Sequence, residues 1–163
     1  MSIGYLAARY SRRAELCLYR SQLEERGHNI GARWLNGNHQ VEGLTAQNAD
    51  TIVIPNERAV GFAIDDAEDI TASDFLIAFT EEPRSGATRG GRHWELGFAS
   101  GIRHQRWPFS TAPRIHIVGP LEHVFTSLPL FEPPTAHEFA LIDGRFPDWD
   151  AFLAALDDGK VKL

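Results

Sequence analysis

The residues best suited to chemistry lie between Asp66 and Gly101, in the stretch DAEDITASDFLIAFTEEPRSGATRGGRHWELGFASG. It runs from a carboxylate-bearing helical pattern through an apolar strand and a glycine-rich loop into a helix whose first turn is expected to carry Glu95. A glutamate there feels the positive end of the helix dipole, which favours its ionised form. An ionised, positioned carboxylate can attack an anomeric carbon and form a covalent glycosyl intermediate, as retaining glycosidases do. Gly90 and Gly91 would let backbone approach a ligand closely. The bland alternative is that Glu95 merely satisfies the helix's first amides. Arginines form a second signal. Arg9, Arg12 and Arg13 follow the first apolar run, and Arg84, Arg89 and Arg92 share one later loop. Two such loops on an acidic chain suit an anion. Against this, the chain uses arginine almost everywhere, with lysine only at Lys160 and Lys162.

These residues need a scaffold, and the apolar pattern supplies one. Residues 2–8 and 28–35 read as strands flanking a helix over 13–26, stopped by Gly27. Residues 36–55 are rich in Asn and Gly and read as a long loop, a length that is often functional. A helix over 57–72 precedes the clearest buried strand, Phe75 to Phe79. A helix over 92–104, a strand over 114–120, a fifth strand over 138–142 and a closing helix over 147–156 complete the series. Pro147 suits the first turn of that last helix.

Strands alternating with helices predict a three-layer α/β/α sandwich, flavodoxin- or Rossmann-like, around a five-stranded, mostly parallel sheet. Such sheets bind ligands beyond the carboxyl ends of their strands, which selects residues 8–13, 80–91 and 119–127. Nothing in the 163 residues marks a linker or repeat, so one domain is expected over 1–163.

Composition narrows the function classes. A net charge of −6 argues against a general nucleic-acid binder. No run approaches the roughly 18 apolar residues that span a bilayer, and the opening MSIGYLAARYSRR does not read as a signal peptide. A cytoplasmic protein is expected, with no membrane partner. One cysteine, Cys17, excludes an intrachain disulfide and the P-C-x-x-C pair that would give His93-Trp94-Glu95 a zinc-deaminase meaning. Cys17 lies in an apolar helical pattern and reads as core. The seven histidines show no H-E-x-x-H spacing, and no G-x-G-x-x-G or P-loop follows a strand. No metal and no cofactor are therefore expected. Trp94 adjoins Glu95 and is assigned to packing or a subunit contact.

Asp66 and Asp74, the strand Phe75 to Phe79 and Glu95-Leu96-Gly97-Phe98-Ala99 together resemble the nucleoside 2-deoxyribosyltransferase family and its nucleotide N-glycosidase relatives. The opening IGYLAARY and the stretch from Val118 to Phe125 are similar to the family's first strand and to the segment after its fourth. The resemblance implies that Glu95 is the nucleophile, that Asp66 contacts the leaving base and helps protonate it, and that Tyr5 orients Glu95. It implies a small nucleoside or nucleotide as partner, with either a second base or water as acceptor, and a homodimer or larger homo-oligomer. The surfaces around Trp94, Phe98 and Val124-Phe125 are candidates for a two-fold contact. Where many transferases carry an aspartate six residues before the nucleophile, this chain has Arg89. With Arg9 and Arg12, and with Tyr10, Gly90 and Gly91 nearby, that favours a 5′-phosphate or other anion; a surface ion pair of Arg89 with Glu81 or Glu82 is the alternative. The rival to catalysis is a non-catalytic nucleotide-binding or sensing module of the same fold.

Overall fold

The first strand, β1 (Ile3–Ala7), is buried from Gly4 onward. Parallel strands with helices on both faces read as continuous apolar runs, and this one does. The computed structural model describes residues 1–37, 39, 56–81, 91–106, 112–120 and 142–163. Within them lie β2 (Asn29–Ile30), β3 (Phe75–Phe79), β4 (Arg114–Val118) and β5 (Gly144–Phe146). The helices are α1 (Arg13–Glu24), α2 (Asn56–Thr71), α3 (Gly91–Arg106) and α4 (Trp149–Asp157).

The sheet has the order β2-β1-β3-β4-β5 and every pair is parallel. The three-layer, five-stranded α/β expectation therefore holds. Tyr5 lies opposite Leu76 in the β1–β3 register, and side chains alternate between faces along each strand. Tyr5 meets α2 and α3 on one face. Phe79 meets α1 and α4 on the other, where Tyr19 stacks between Phe79 and Trp149 at centroid distances of 5.5 and 4.4 Å. Gly4 permits the close β1–β3 approach, since a Cβ there would fall 2.1 Å from the Phe75 ring.

The strand expected over 28–35 is only two residues long. Its alternating Ile30, Ala32 and Trp34 suit a strand equally well, but Arg33 turns the chain into a 3-10 turn, Arg33–Asn36. The Arg33 backbone N–H and Nε both donate to Asp69 at 2.7 Å, and its guanidinium reaches Asp65 and Glu68 at 2.8 Å. The Trp34 indole N–H donates to the Leu6 carbonyl at 3.0 Å, closing the turn over the end of β1.

The fifth described strand is Gly144–Phe146; of the strand expected over 138–142, residues 138–141 lie outside the described residues. Asp143 fixes that register by accepting the Ile115 amide at 2.7 Å and pairing with buried Arg103 of α3. The closing helix begins later than expected. Asp148, not Pro147, sets its start, its side chain accepting the Ala151 amide at 2.8 Å. Cys17 is half-buried against the core. Trp94 is 45% exposed and stacks on Phe98 at 5.2 Å, while Val124 and Phe125 lie outside the described residues. Among the described residues no helix is long and apolar enough to cross a membrane.

Candidate active site

Three elements bring three side chains to one point. β1 presents Tyr5, α2 presents Asp66 and α3 presents Glu95, residues separated by 61 and 90 positions from Tyr5 in the chain. The Tyr5 hydroxyl lies 3.0 Å from Asp66 Oδ1 and 2.8 Å from Glu95 Oε1. Tyr5 is wholly buried and Glu95 is 7% exposed.

A phenol has one proton. It can donate to one of the two carboxyls; the other contact is a hydrogen bond only if that carboxyl donates to the phenol oxygen. The geometry therefore accommodates one proton on the carboxyl pair. The electrostatics agree. Burial, then the neighbouring Asp66 charge, pushes Glu95 up to about 8, partly offset by the Tyr5 hydrogen bond and the Arg92 guanidinium. Burial also raises Asp66, against the opposing influence of His39 and of the Tyr5 hydrogen bond. Tyr5 is held neutral by burial and by both carboxyls.

This differs from the expectation for Glu95. α3 begins at Gly91, so Glu95 falls beyond its first turn, where the dipole has faded. Desolvation decides its charge instead. Glu95 Oε2 is buried without a hydrogen-bond partner among the described residues, which leaves one oxygen uncommitted.

The arginines are more engaged than their spacing suggests. Arg92 belongs to α3 rather than to the preceding loop; it is buried and donates to the Phe79 carbonyl at 2.9 Å, tying α3 to the carboxyl end of β3. Arg9 pairs with Glu81 at 3.2 Å. Arg12 grips both Glu15 oxygens, at 2.7 and 2.8 Å, and lies over the Phe79 ring. Tyr10 opens the 3-10 turn Tyr10–Arg12 and packs near Trp34, its hydroxyl without a partner among the described residues. All of these sit beyond the carboxyl ends of β1 and β3. Gly91 starts α3, whereas Arg84, Arg89 and Gly90 lie outside the described residues.

One neighbour carries no mark in the sequence. His39, in the stretch read only as loop, is buried beside Asp65 and Asp66. Only the fold brings it to α2. No group of three or more His, Cys, Asp or Glu suited to a metal occurs among the described residues.

No protein-family model matches this chain, and no curated protein sequence matches it. Among solved structures it is similar to the CMP N-glycosidase BcmB of Clostridium botulinum, with a TM-score of 0.50 and 18% identity. The alignment covers 95% of this chain and 98% of that one. The likeness is one of fold. At that identity it speaks for the α/β architecture and leaves chemistry to the site itself.

Proposed function

We propose that this protein cleaves the N-glycosidic bond of a nucleoside, deoxynucleoside or nucleoside 5′-monophosphate through a covalent intermediate on Glu95. The observation that carries the reading is the Asp66–Tyr5–Glu95 bridge, with one oxygen of Glu95 uncommitted. In the resting site the proton belongs to Glu95, which is the more buried carboxyl. A relay through Tyr5 moves it: Glu95 gives its proton to the phenol oxygen as the phenol proton passes to Asp66. The result is a Glu95 carboxylate, a neutral Tyr5 and an Asp66 acid, the protonation that glycosidic cleavage needs.

Glu95 then attacks the anomeric carbon while the C–N bond breaks, its electron pair passing to the base nitrogen that takes the Asp66 proton. A second displacement, by water or by another base, releases the sugar with retained configuration. Arg9, Tyr10 and Arg12 follow the carboxyl end of β1; Gly91 at the start of α3, and Arg89 and Gly90 outside the described residues, are the further candidates for holding the substrate. Arginines there suit a 5′-phosphate. That the solved structure with a similar fold is described as a CMP N-glycosidase supports the same substrate class.

The experiment is base release and base exchange from a panel of nucleosides, deoxynucleosides and their 5′-monophosphates, with Glu95→Ala alongside. Release or exchange that disappears in the variant is the expected result. Exchange exceeding release defines a transferase, and release alone a hydrolase. A nucleotide that binds without turnover in the wild type would replace catalysis with the sensing module. Turnover that survives Glu95→Ala would overturn the assignment of the nucleophile.

A further inference from the structure

The proposed chemistry asks Asp66 to surrender a proton and then remain as a buried carboxylate. Four groups face it. Tyr5 comes from β1; Asp65 and Asp69 share α2, and His39 approaches from the segment after β2. Glu95 lies beyond Tyr5 and is protonated in the resting site. Asp69 and Asp65 are already held by Arg33, at 2.7 and 2.8 Å, so their charges are largely answered. Among the described residues, the basic side chain at ion-pair distance from Asp66 is His39.

The placement of His39 is specific. Its side chain is 7% exposed, with Nδ1 3.8 Å from Asp66 Oδ1 and Nε2 3.5 Å from Asp65 Oδ2. Phe62 of α2 meets it edge to face at 4.7 Å, which fixes the ring plane. Nε2 has no hydrogen-bond partner among the described residues. A buried imidazole wedged between two carboxylates, and bonded fully to neither, is placed to act by charge on both.

We propose that His39 is a positioning residue for Asp66, steadying that side chain towards Tyr5 and stabilising the carboxylate left when Asp66 protonates the departing base. The inference rests on the N-glycosidic reading for its kinetic consequence, but the His39–Asp66 coupling is a property of the fold and is measurable without turnover. In the transfer, the Asp66 O–H bond breaks, the proton joins the base nitrogen, and the new negative charge on Asp66 finds the His39 ring beside it. His39 touches no reacting atom.

The test uses His39→Phe, which keeps an aromatic ring against Phe62 and removes the charge, and His39→Gln as a second variant that keeps a polar group. With a guanine nucleoside or nucleotide donor, kcat is expected to fall about tenfold, part of the roughly hundredfold or more that a general acid contributes, while KM stays nearly constant. With the 7-methylguanine counterpart the base leaves without needing a proton, and the loss is expected to vanish. An equal loss on both donors, or no loss on either, would overturn the proposal.

The NMR signals of the His39 ring, compared at one pH between the wild type and Asp66→Asn, supply the independent arm. Removing the carboxylate at 3.8 Å is expected to displace the ring signals; unmoved signals would also overturn the proposal. If the wild type releases no base from any donor while the His39 signals still move, the coupling stands and the N-glycosidic reading is what fails.

Discussion

Replacing Glu95 by glutamine should make the protein progressively more stable than the wild type as pH rises. In the folded chain the Glu95 carboxyl is raised from 4.5 to about 8. A group raised on folding contributes its full share below its unfolded value, and that share is lost as pH climbs through the folded value. Each tenfold change in proton affinity is worth about 1.4 kcal/mol. At pH 5 the wild type loses about 1 kcal/mol by this route, and at pH 8.5 between 4 and 5, roughly. A glutamine side chain cannot ionise, so the advantage of Glu95→Gln over the wild type should grow by about 4 kcal/mol between those pH values.

Glutamine retains the shape and an oxygen able to accept from Tyr5, but it brings an amide that needs partners in a dry site. That adds a pH-independent penalty of about 1–3 kcal/mol, so the slope is the informative quantity and the absolute difference is not. Urea unfolding of both proteins at pH 5, 6, 7, 8 and 8.5 measures it. Two curves that stay parallel to within about 1 kcal/mol would refute the reasoning, because Glu95 would then ionise as it does in water.

Other expected outcomes follow from the same geometry. Asp66→Asn should lower kcat on donors whose base leaves with a proton by about a hundredfold, read by chromatography of released base. Tyr5→Phe removes the shared hydroxyl and leaves two buried carboxyls facing one another; a loss of about 1–3 kcal/mol in urea titration and a slower base release are expected. His116 of β4 behaves oppositely to Glu95: burial drives it down from 6.5 to about 4 despite Asp143. A depressed histidine supports the fold above pH 6.5 and loses about 3 kcal/mol as pH falls towards 4; thermal melts of His116→Phe should lack that acid slope. Arg103→Leu strands Asp143 in the β4–β5 edge and should cost about 3–5 kcal/mol, seen as a drop in the urea midpoint.

The parts legible in the sequence are those with local causes. Phe75–Phe79 is an uninterrupted apolar run and forms a strand with those bounds. Tyr5, Asp66 and Glu95 can be singled out through the motif, and the fold does bring them within hydrogen-bond reach. What escapes depends on partners distant in the chain. Residues 28–35 carry a strand's alternation, and only the three carboxylates of α2 explain why Arg33 bends them away. The charge of Glu95 escapes for a similar reason. Its helix position points to the dipole, whereas burial under Tyr5 governs it. Arg92, spaced like a loop arginine, is captured by a backbone carbonyl, and His39 has no local signature at all.

The parallel order of the strands gives this site a history as well as a shape. β1 is complete within the first seven residues, but its second neighbour, β3, starts at Phe75. During synthesis β1 can pair with β2 early, while its other edge waits for some seventy more residues to emerge. The carboxyls that complete the Tyr5 bridge arrive later still, from α2 and then α3. Even after α3 has formed, β3 is a bare edge until β4 covers it, and exposed edges recruit other chains. A nascent or truncated chain ending near Arg106 would thus contain every residue of the bridge and still present a sticky flank. For this architecture, finishing the far side of the sheet protects the protein from its neighbours after the reactive cluster has come together.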